Sequence, residues 1–467
     1  MDRATAIRFL ALYLPIVAAF ALALARPRTS RLLPACLLGF AWSLPALLAL
    51  QLLNLHFAWW RFHAQGGLLR QMPVDLYLGW AVLWGIVPIL AFRRVKIPWV
   101  VAIFAALDLL LMPACFPVVV LTRSWLVGEF AAISLVLVPA LLFARWTFSA
   151  TNLPARATLQ VFTSGALFLF LVPEIIFAAT SGRGWNPFFS QSRWLTNLEL
   201  QMIALLALAG VSAVQEFVLR GEGTPLPFDS PRRLVTSGIY RYISNPMQLS
   251  CALVVTAWGA VVRSPWIALA GVTSFIYSAG LANWDEGADL QVRFGEPWLR
   301  YRRHVRPWRP RVHPWHDPEL PFPRLYVAEA CGPCSEVRRW FIARHAFALE
   351  IVPAEDHPAR DLERMTYDPM DGSQPEDGIR AFARGLEHIN LGWALAGAML
   401  RLPGISHFVQ LLLDASGLGP RTIPRRHKTC LIPETPARPL NSPTPTQSTL
   451  PARAPRRGPA TCCLKSL

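Results

Sequence analysis

Nine apolar runs occupy most of the first 283 residues, at 6–25, 33–54, 74–92, 97–117, 124–143, 158–179, 197–219, 248–263 and 265–283. A helix needs about 20 such residues to cross the hydrocarbon core of a bilayer. Inside a bilayer only helices and closed barrels satisfy the backbone. The pattern predicts a mainly α, polytopic α-helical membrane protein of about nine spans. The eighth and ninth runs are short and read as a hairpin that dips into the membrane without fully crossing it. Charged residues make up 16% of the chain, against about a quarter in soluble domains. That excludes a chain that is soluble throughout, and the polar C-terminal third excludes one that is membrane throughout.

The basic loops alternate. Arg26, Arg28 and Arg31 follow the first run, Arg93, Arg94 and Lys96 the third, Arg145 and Arg156 the fifth, and Arg220, Arg232, Arg233 and Arg241 the seventh. Positive charge is retained on the cytoplasmic side. The expected topology has the N-terminus outside and the C-terminal third in the cytoplasm, in the inner membrane of a bacterial-type cell. The formal charge of +16 is almost wholly arginine, with Lys only at 96, 428 and 465. It sits in loops beside apolar runs, where anionic headgroups attract it, so membrane lipid and not nucleic acid is the expected partner. Asp108, Glu129, Glu174, Gln215 and Glu216 fall inside the runs, and an ionisable group there is a candidate functional residue. Glu129 and Glu216 lie near helix ends and are expected to reach the interface, whereas Asp108 and Glu174 sit deeper and are candidates to line a substrate path.

Residues 220–312 are polar, punctuated by proline and rich in aromatic residues. They read as a loop, a return into the membrane and a helix leaving it, with Asn245 and Glu286 at the two ends of one apolar hairpin. Asp289 and Arg293 form an i,i+4 pair on the last helix. Solvated juxtamembrane charges account for these residues, and so does a site closed by the hairpin.

The segment supplies Gly223-Thr224-Pro225-Leu226-Pro227, Leu234-Val235, Gly238, Tyr240, Asn245-Pro246, Glu286, Leu290, Phe294-Gly295 and Tyr301 in order. In these residues it resembles the isoprenylcysteine carboxyl methyltransferase and phospholipid methyltransferase superfamily of integral-membrane enzymes that use S-adenosylmethionine. The resemblance implies methyl transfer to a lipid-like or membrane-partitioned acceptor, with no metal. It implies cofactor contacts from Arg232, Arg233, Leu234 and Val235, from Tyr240, from Asn245, Pro246, Met247 and Gln248, and from Glu286. Glu286 has the charge to pair with the cofactor ammonium or to accept from its ribose. The chain departs from the family at Ser244, usually Arg, at Gln248, usually Tyr, and at Gly287, usually a second acid. Ala282 replaces an arginine that holds the substrate carboxylate in prenylcysteine enzymes, which argues against that substrate.

From about Pro323 the chain reads as a second, α/β unit: a strand at 325–328, Cys331-Gly332-Pro333-Cys334, a helix to His345 and a strand at 348–352. A Cys-x-x-Cys between strand and helix places the first thiol at a helix N-terminus, where its thiolate is stabilised. This unit resembles the thioredoxin-like fold, and residues 378–404 resemble the DCC thiol-disulfide oxidoreductase family. The resemblance implies redox chemistry at Cys331 and Cys334 with a thiol or disulfide partner, and an alternative role for the chain as a membrane-tethered thiol-disulfide oxidoreductase. A lone pair of cysteines is weak for zinc. The expected organisation is accessory helices over 1–196, a methyltransferase core over 197–312, a thioredoxin-like DCC domain over 323–424, and a basic, proline-rich, disordered tail over 425–467.

Overall fold

A computed structural model of the chain describes residues 2–25, 29–180, 184–226, 229–329 and 331–426. Residues 2–425 belong to one compact unit. Nearly all of the tail, with its Cys462-Cys463 pair, lies outside the described residues.

Among the described residues, eight helices are long and apolar enough to cross a membrane: α1 (Arg3–Leu24), α2 (Leu32–Phe57), α3 (Val74–Phe92), α4 (Ile97–Ala114), α5 (Trp125–Ser149), α6 (Leu153–Thr180), α7 (Arg193–Gly221) and α9 (Pro265–Phe294). The expected count of nine spans is corrected here at the hairpin. Its first arm, α8 (Pro246–Val261), has 16 residues, about 24 Å of helix at 1.5 Å per residue against a core of about 30 Å. Its second arm is not short: α9 runs for 30 residues, carrying Asp285 and Glu286 on a helix continuous with the apolar run. Pro246 and Pro265 open the two arms, the first-turn position where a missing N–H costs nothing.

Large apolar side chains such as Leu110, Phe130, Phe162 and Leu205 point outward from the spans, the reverse of a soluble fold. With lipid outside, close packing has to hold the helices together. The hairpin shows this at two glycines. A Cβ on Gly259 would sit 2.2 Å from Ala268 N, and one on Gly271 2.3 Å from Thr256 Oγ1.

The acids of the spans do not behave as their positions suggest. Glu129 and Glu216 are buried and do not reach the interface. Glu129 faces Asp108 in the interior of the first six helices. Glu174 is clasped by Arg70, with Nε–Oε2 at 2.8 Å and Nη2–Oε1 at 2.5 Å, and also accepts from the Trp185 indole. That pairing makes Glu174 a tie between a loop and α6.

After α9 comes α10 (Glu296–His304), then β1 (Arg324–Val327), α11 (Gly332–Ala343), β2 (Glu350–Pro353), β3 (Thr366–Asp368), β4 (Glu376–Asp377) and α12 (Ile379–Leu386). The sheet order is β2-β1-β3-β4. β1 and β2 are parallel, with Leu325 opposite Ile351, and β3 is antiparallel to β1, with Leu325 opposite Tyr367. Phe341 of α11 fills the core beneath the sheet with Leu325, Val327, Tyr367 and Leu386. Two further helices follow, α13 (Leu391–Arg401) and α14 (Pro403–Leu413). Only Leu402 separates Arg401 from Pro403, and the pair is bent by 85°.

Candidate functional site

Gln248 lies one turn into α8, and its Nε2 donates to Glu286 Oε2 of α9 at 3.1 Å. The hairpin therefore joins the Asn-Pro motif to the acid, as the sequence order allows. Asn245 occupies the position before α8 and caps nothing with its side chain. Pro246 is buried, and Met247 is half-buried against the Val235–Tyr240 cluster.

Tyr240 lies on a 3-10 turn, Gly238–Arg241. Its ring stacks on Phe217 at 5.4 Å, and its backbone carbonyl accepts from the buried Tyr301 hydroxyl at 2.8 Å. Its own hydroxyl is buried and without a hydrogen-bond partner, and so is Gln248 Oε1. Burial, and then the proximity of Tyr301, Glu286 and Glu216, holds the Tyr240 phenol well above its ordinary pKa, so it stays a neutral O–H. Buried polar atoms are nearly always satisfied, and here two stand without partners close to one carboxylate.

The loop before Tyr240 divides. Arg232 and Arg233 are exposed and lie 3.7 and 3.6 Å from the Glu222 carboxylate. Leu234 packs with Trp298 and Tyr301, whereas Val235 packs with Tyr240 and Ile239. Arg293 of α9 donates to the carbonyl of Pro231 and fastens this loop to the helix that carries Glu286. Gly238 has φ +61°, and a Cβ there would lie 2.7 Å from Glu216 Cδ, so both conformation and space require glycine.

Arg302 was not marked by the sequence. From α10 its Nη1 donates to Ser244 Oγ at 3.2 Å and its Nη2 to Asn283 Oδ1 at 3.3 Å. Ser244 stands where the resemblance expects an arginine, and Asn283 follows Ala282, where it expects another. One guanidinium from a third helix thus reaches both places. Burial lowers the Arg302 pKa, against the pull of Tyr301 and Glu286. The signal available in the sequence was the run Arg300-Tyr301-Arg302-Arg303, which begins after the four residues that follow the Phe-Gly motif.

Below Gly238 lies a second polar cluster, which the sequence did not reveal. Glu216 Oε1 meets Arg384 Nη1 at 2.7 Å and Arg401 Nη2 at 2.6 Å, and its Oε2 accepts from Ser237 at 2.7 Å. Arg384 also binds Glu376 at 2.6 Å and Glu387 at 3.3 Å, and Arg220 reaches Glu376 at 3.3 Å. Three arginines meet three glutamates. The C-terminal unit is tied to the membrane helices through this cluster and through Gln215 Nε2 to the Arg401 carbonyl at 3.1 Å.

Cys331 is the residue before α11, and Cys334 lies in its first turn. Burial, and then the neighbouring Cys331, push the Cys334 thiol up to about 12. Among the described residues no group of three or more His, Cys, Asp or Glu side chains is arranged to hold a metal ion.

The phospholipid methyltransferase family model matches residues 200–296, from α7 to the first residue of α10, the segment that carries Tyr240, Gln248 and Glu286. The match supports the methyltransferase superfamily for this part of the chain. With eight helices of spanning length, it makes the chain a multi-pass membrane protein. No curated protein matches the chain, and no solved structure does.

Proposed function

We propose that the chain transfers a methyl group from S-adenosylmethionine to a lipid-like or membrane-partitioned acceptor at the Tyr240–Gln248–Glu286 site. The observation that carries this reading is the pair of orphaned buried atoms, Tyr240 Oη and Gln248 Oε1, beside Glu286 in the segment that matches the family model. Those groups fit the cofactor. Glu286 offers a carboxylate to an ammonium or to ribose hydroxyls, Gln248 offers an acceptor, and Tyr240 offers a neutral donor. When bound, the cofactor supplies an electrophilic methyl on a sulfonium. The protein's task is then alignment, and orientation alone lowers such barriers by roughly 7–11 kcal/mol. Leu281, Trp284 and Val292 point outward on the helix that carries Glu286, which supports an acceptor arriving from the lipid. Arg232, Arg233, Leu234 and Val235 line the approach from the loop side, and Asn245, Pro246 and Met247 set the start of α8. We place the core in a bacterial-type inner membrane with the C-terminal unit on the cytoplasmic side.

The test is S-adenosylmethionine binding to detergent-purified protein, with Glu286→Gln alongside. The expected result is binding by the parent chain and binding roughly tenfold to a hundredfold weaker in the variant, at an unchanged melting temperature. Equal binding by a folded variant would defeat the assignment.

A second reading concerns the C-terminal unit. A strand, Cys-x-x-Cys, helix and parallel strand, with Cys331 at the helix start, favour a thioredoxin-like, DCC-type thiol-disulfide module that exchanges with a thiol or disulfide partner. Cys331→Ser should abolish reduction of a model disulfide by the reduced protein, and an unchanged rate would remove this reading.

A further inference from the structure

The last helix of the C-terminal unit is inside out. Ser406, Gln410 and Asp414 recur at four-residue spacing, so they share one face, and that polar face is the one packed against the unit. Ser406 is 2% exposed, and its hydroxyl lies 3.3 Å from Arg380 Nη2. Gln410 Oε1 accepts from the backbone N–H of Ile379 at 2.9 Å. Asp414 is held by Arg364 at both oxygens, at 2.5 and 2.9 Å. The opposite face carries Phe408, Leu411 and Leu412, which are 62, 67 and 53% exposed.

A soluble domain does the reverse, burying the apolar stripe of a helix and wetting its polar one. Clustered apolar exposure of this kind marks an interaction surface. Its extent matches residues on the spanning helices, such as Leu205 at 60% and Phe130 at 72%. The surface is continuous with the membrane part of the chain. α13 lies against α7, with Leu391 and Leu395 packed on the Ala213–Tyr240 cluster, and it ends at Arg401, bonded to Glu216 near the end of that span. There the chain bends by 85°, and α14 departs from the level at which α7 leaves its apolar run.

We infer that the Phe408–Leu411–Leu412 face of α14 lies in the lipid bilayer, so that the C-terminal unit rests on the membrane through an interfacial helix. The polar partners of Ser406, Gln410 and Asp414 turn the apolar stripe toward hydrocarbon, the arrangement of helices that lie in the interface plane.

The test is photocrosslinking of the full chain in phospholipid nanodiscs with p-benzoylphenylalanine at Leu411 and, in a separate protein, at Phe408. Leu110, on the outer surface of α4, is the lipid-facing control, and Glu336, exposed on α11, is the solvent control. The expected result is a phospholipid adduct at 411 and 408 with a yield like that at 110, and none at 336. Adducts to residues 427–467 or to a second copy of the chain would overturn the inference, since the occupant would then be protein. So would the absence of adducts at both positions while Leu110 reacts.

Discussion

Two polar clusters flank the Gly238–Arg241 turn, and they are built on opposite plans. Around Glu216 three glutamates are paired with three arginines, and Arg220 also faces the exposed Asp371. Around Glu286 the carboxylate has no ion-pair partner among the described residues and is met by a neutral amide, while a buried amide oxygen and a phenol stand without partners. Both lie in the same stretch of chain, within reach of Tyr240. The difference is one of charge, since both clusters hold buried polar atoms without hydrogen-bond partners, Arg384 Nη2 and Arg401 Nε among them: the joint pairs its charges within the protein, and the candidate receptacle leaves one carboxylate to a neutral amide.

The sharpest way to break this comparison is to unbalance the joint. Removing one partner of a buried ion pair costs about 3–5 kcal/mol, so Arg384→Met should lower the unfolding temperature of the detergent-solubilised chain and open residues 323–425 to proteolysis. Glu216→Leu combined with Arg401→Met, which removes opposite charges together, should cost less than either change alone. A loss equal to the sum of the two would show that the groups act independently. At the receptacle the readout moves from stability to binding. Charged hydrogen bonds contribute about 1.5–3 kcal/mol, so Glu286→Gln should weaken S-adenosylmethionine binding roughly tenfold to a hundredfold while melting is unchanged.

Tyr240→Phe gives a smaller effect with two signs. Deleting an unsatisfied buried hydroxyl relieves a penalty of about 1 kcal/mol and should raise the melting temperature without ligand, yet it should weaken ligand binding. If both fall together, the hydroxyl has a partner within the protein. A pH titration probes the joint's surroundings. His388 is fully buried, and burial followed by Arg241 holds its pKa well below 6.5. The folded chain then refuses a proton that the unfolded chain accepts, so stability is full above pH 6.5 and falls as the pH drops below it. His388→Asn should flatten that part of the melting profile. Smallest of all, Arg232→Ala and Arg233→Ala touch exposed pairs with Glu222, which contribute about 0–1 kcal/mol. They should leave melting nearly unchanged, and binding should move less than in Glu286→Gln.

Much of the receptacle was legible because its parts are local. The Asn-Pro and Phe-Gly motifs, with the hairpin between them, fix an order that a reader can follow, and seven of the nine apolar runs became spanning helices where they were expected. The joint was not legible, because Arg384 is 168 residues from Glu216 in sequence. The sequence shows only an acid near the end of one apolar helix and single arginines among apolar residues in two others. Glu129 misleads in a similar way, since its helix-end position says nothing about what a neighbouring helix presents, and Glu174, expected to line a path, is held by Arg70 instead. The ninth run reads as short because its apolar residues end near 283, although the helix continues through the polar residues that follow.

The sixth helix meets the Gly-Thr-Pro loop at two points. Arg156 of α6, 3% exposed along its side chain, pairs with Asp229 at 2.7 Å, and Gln160 Nε2 donates to the buried Thr224 hydroxyl at 3.2 Å. This ties the two halves together through polar contacts. A shortened chain beginning at the seventh helix would strand Asp229 and Thr224, so any transplant of this core onto another set of helices has to carry α6 with it.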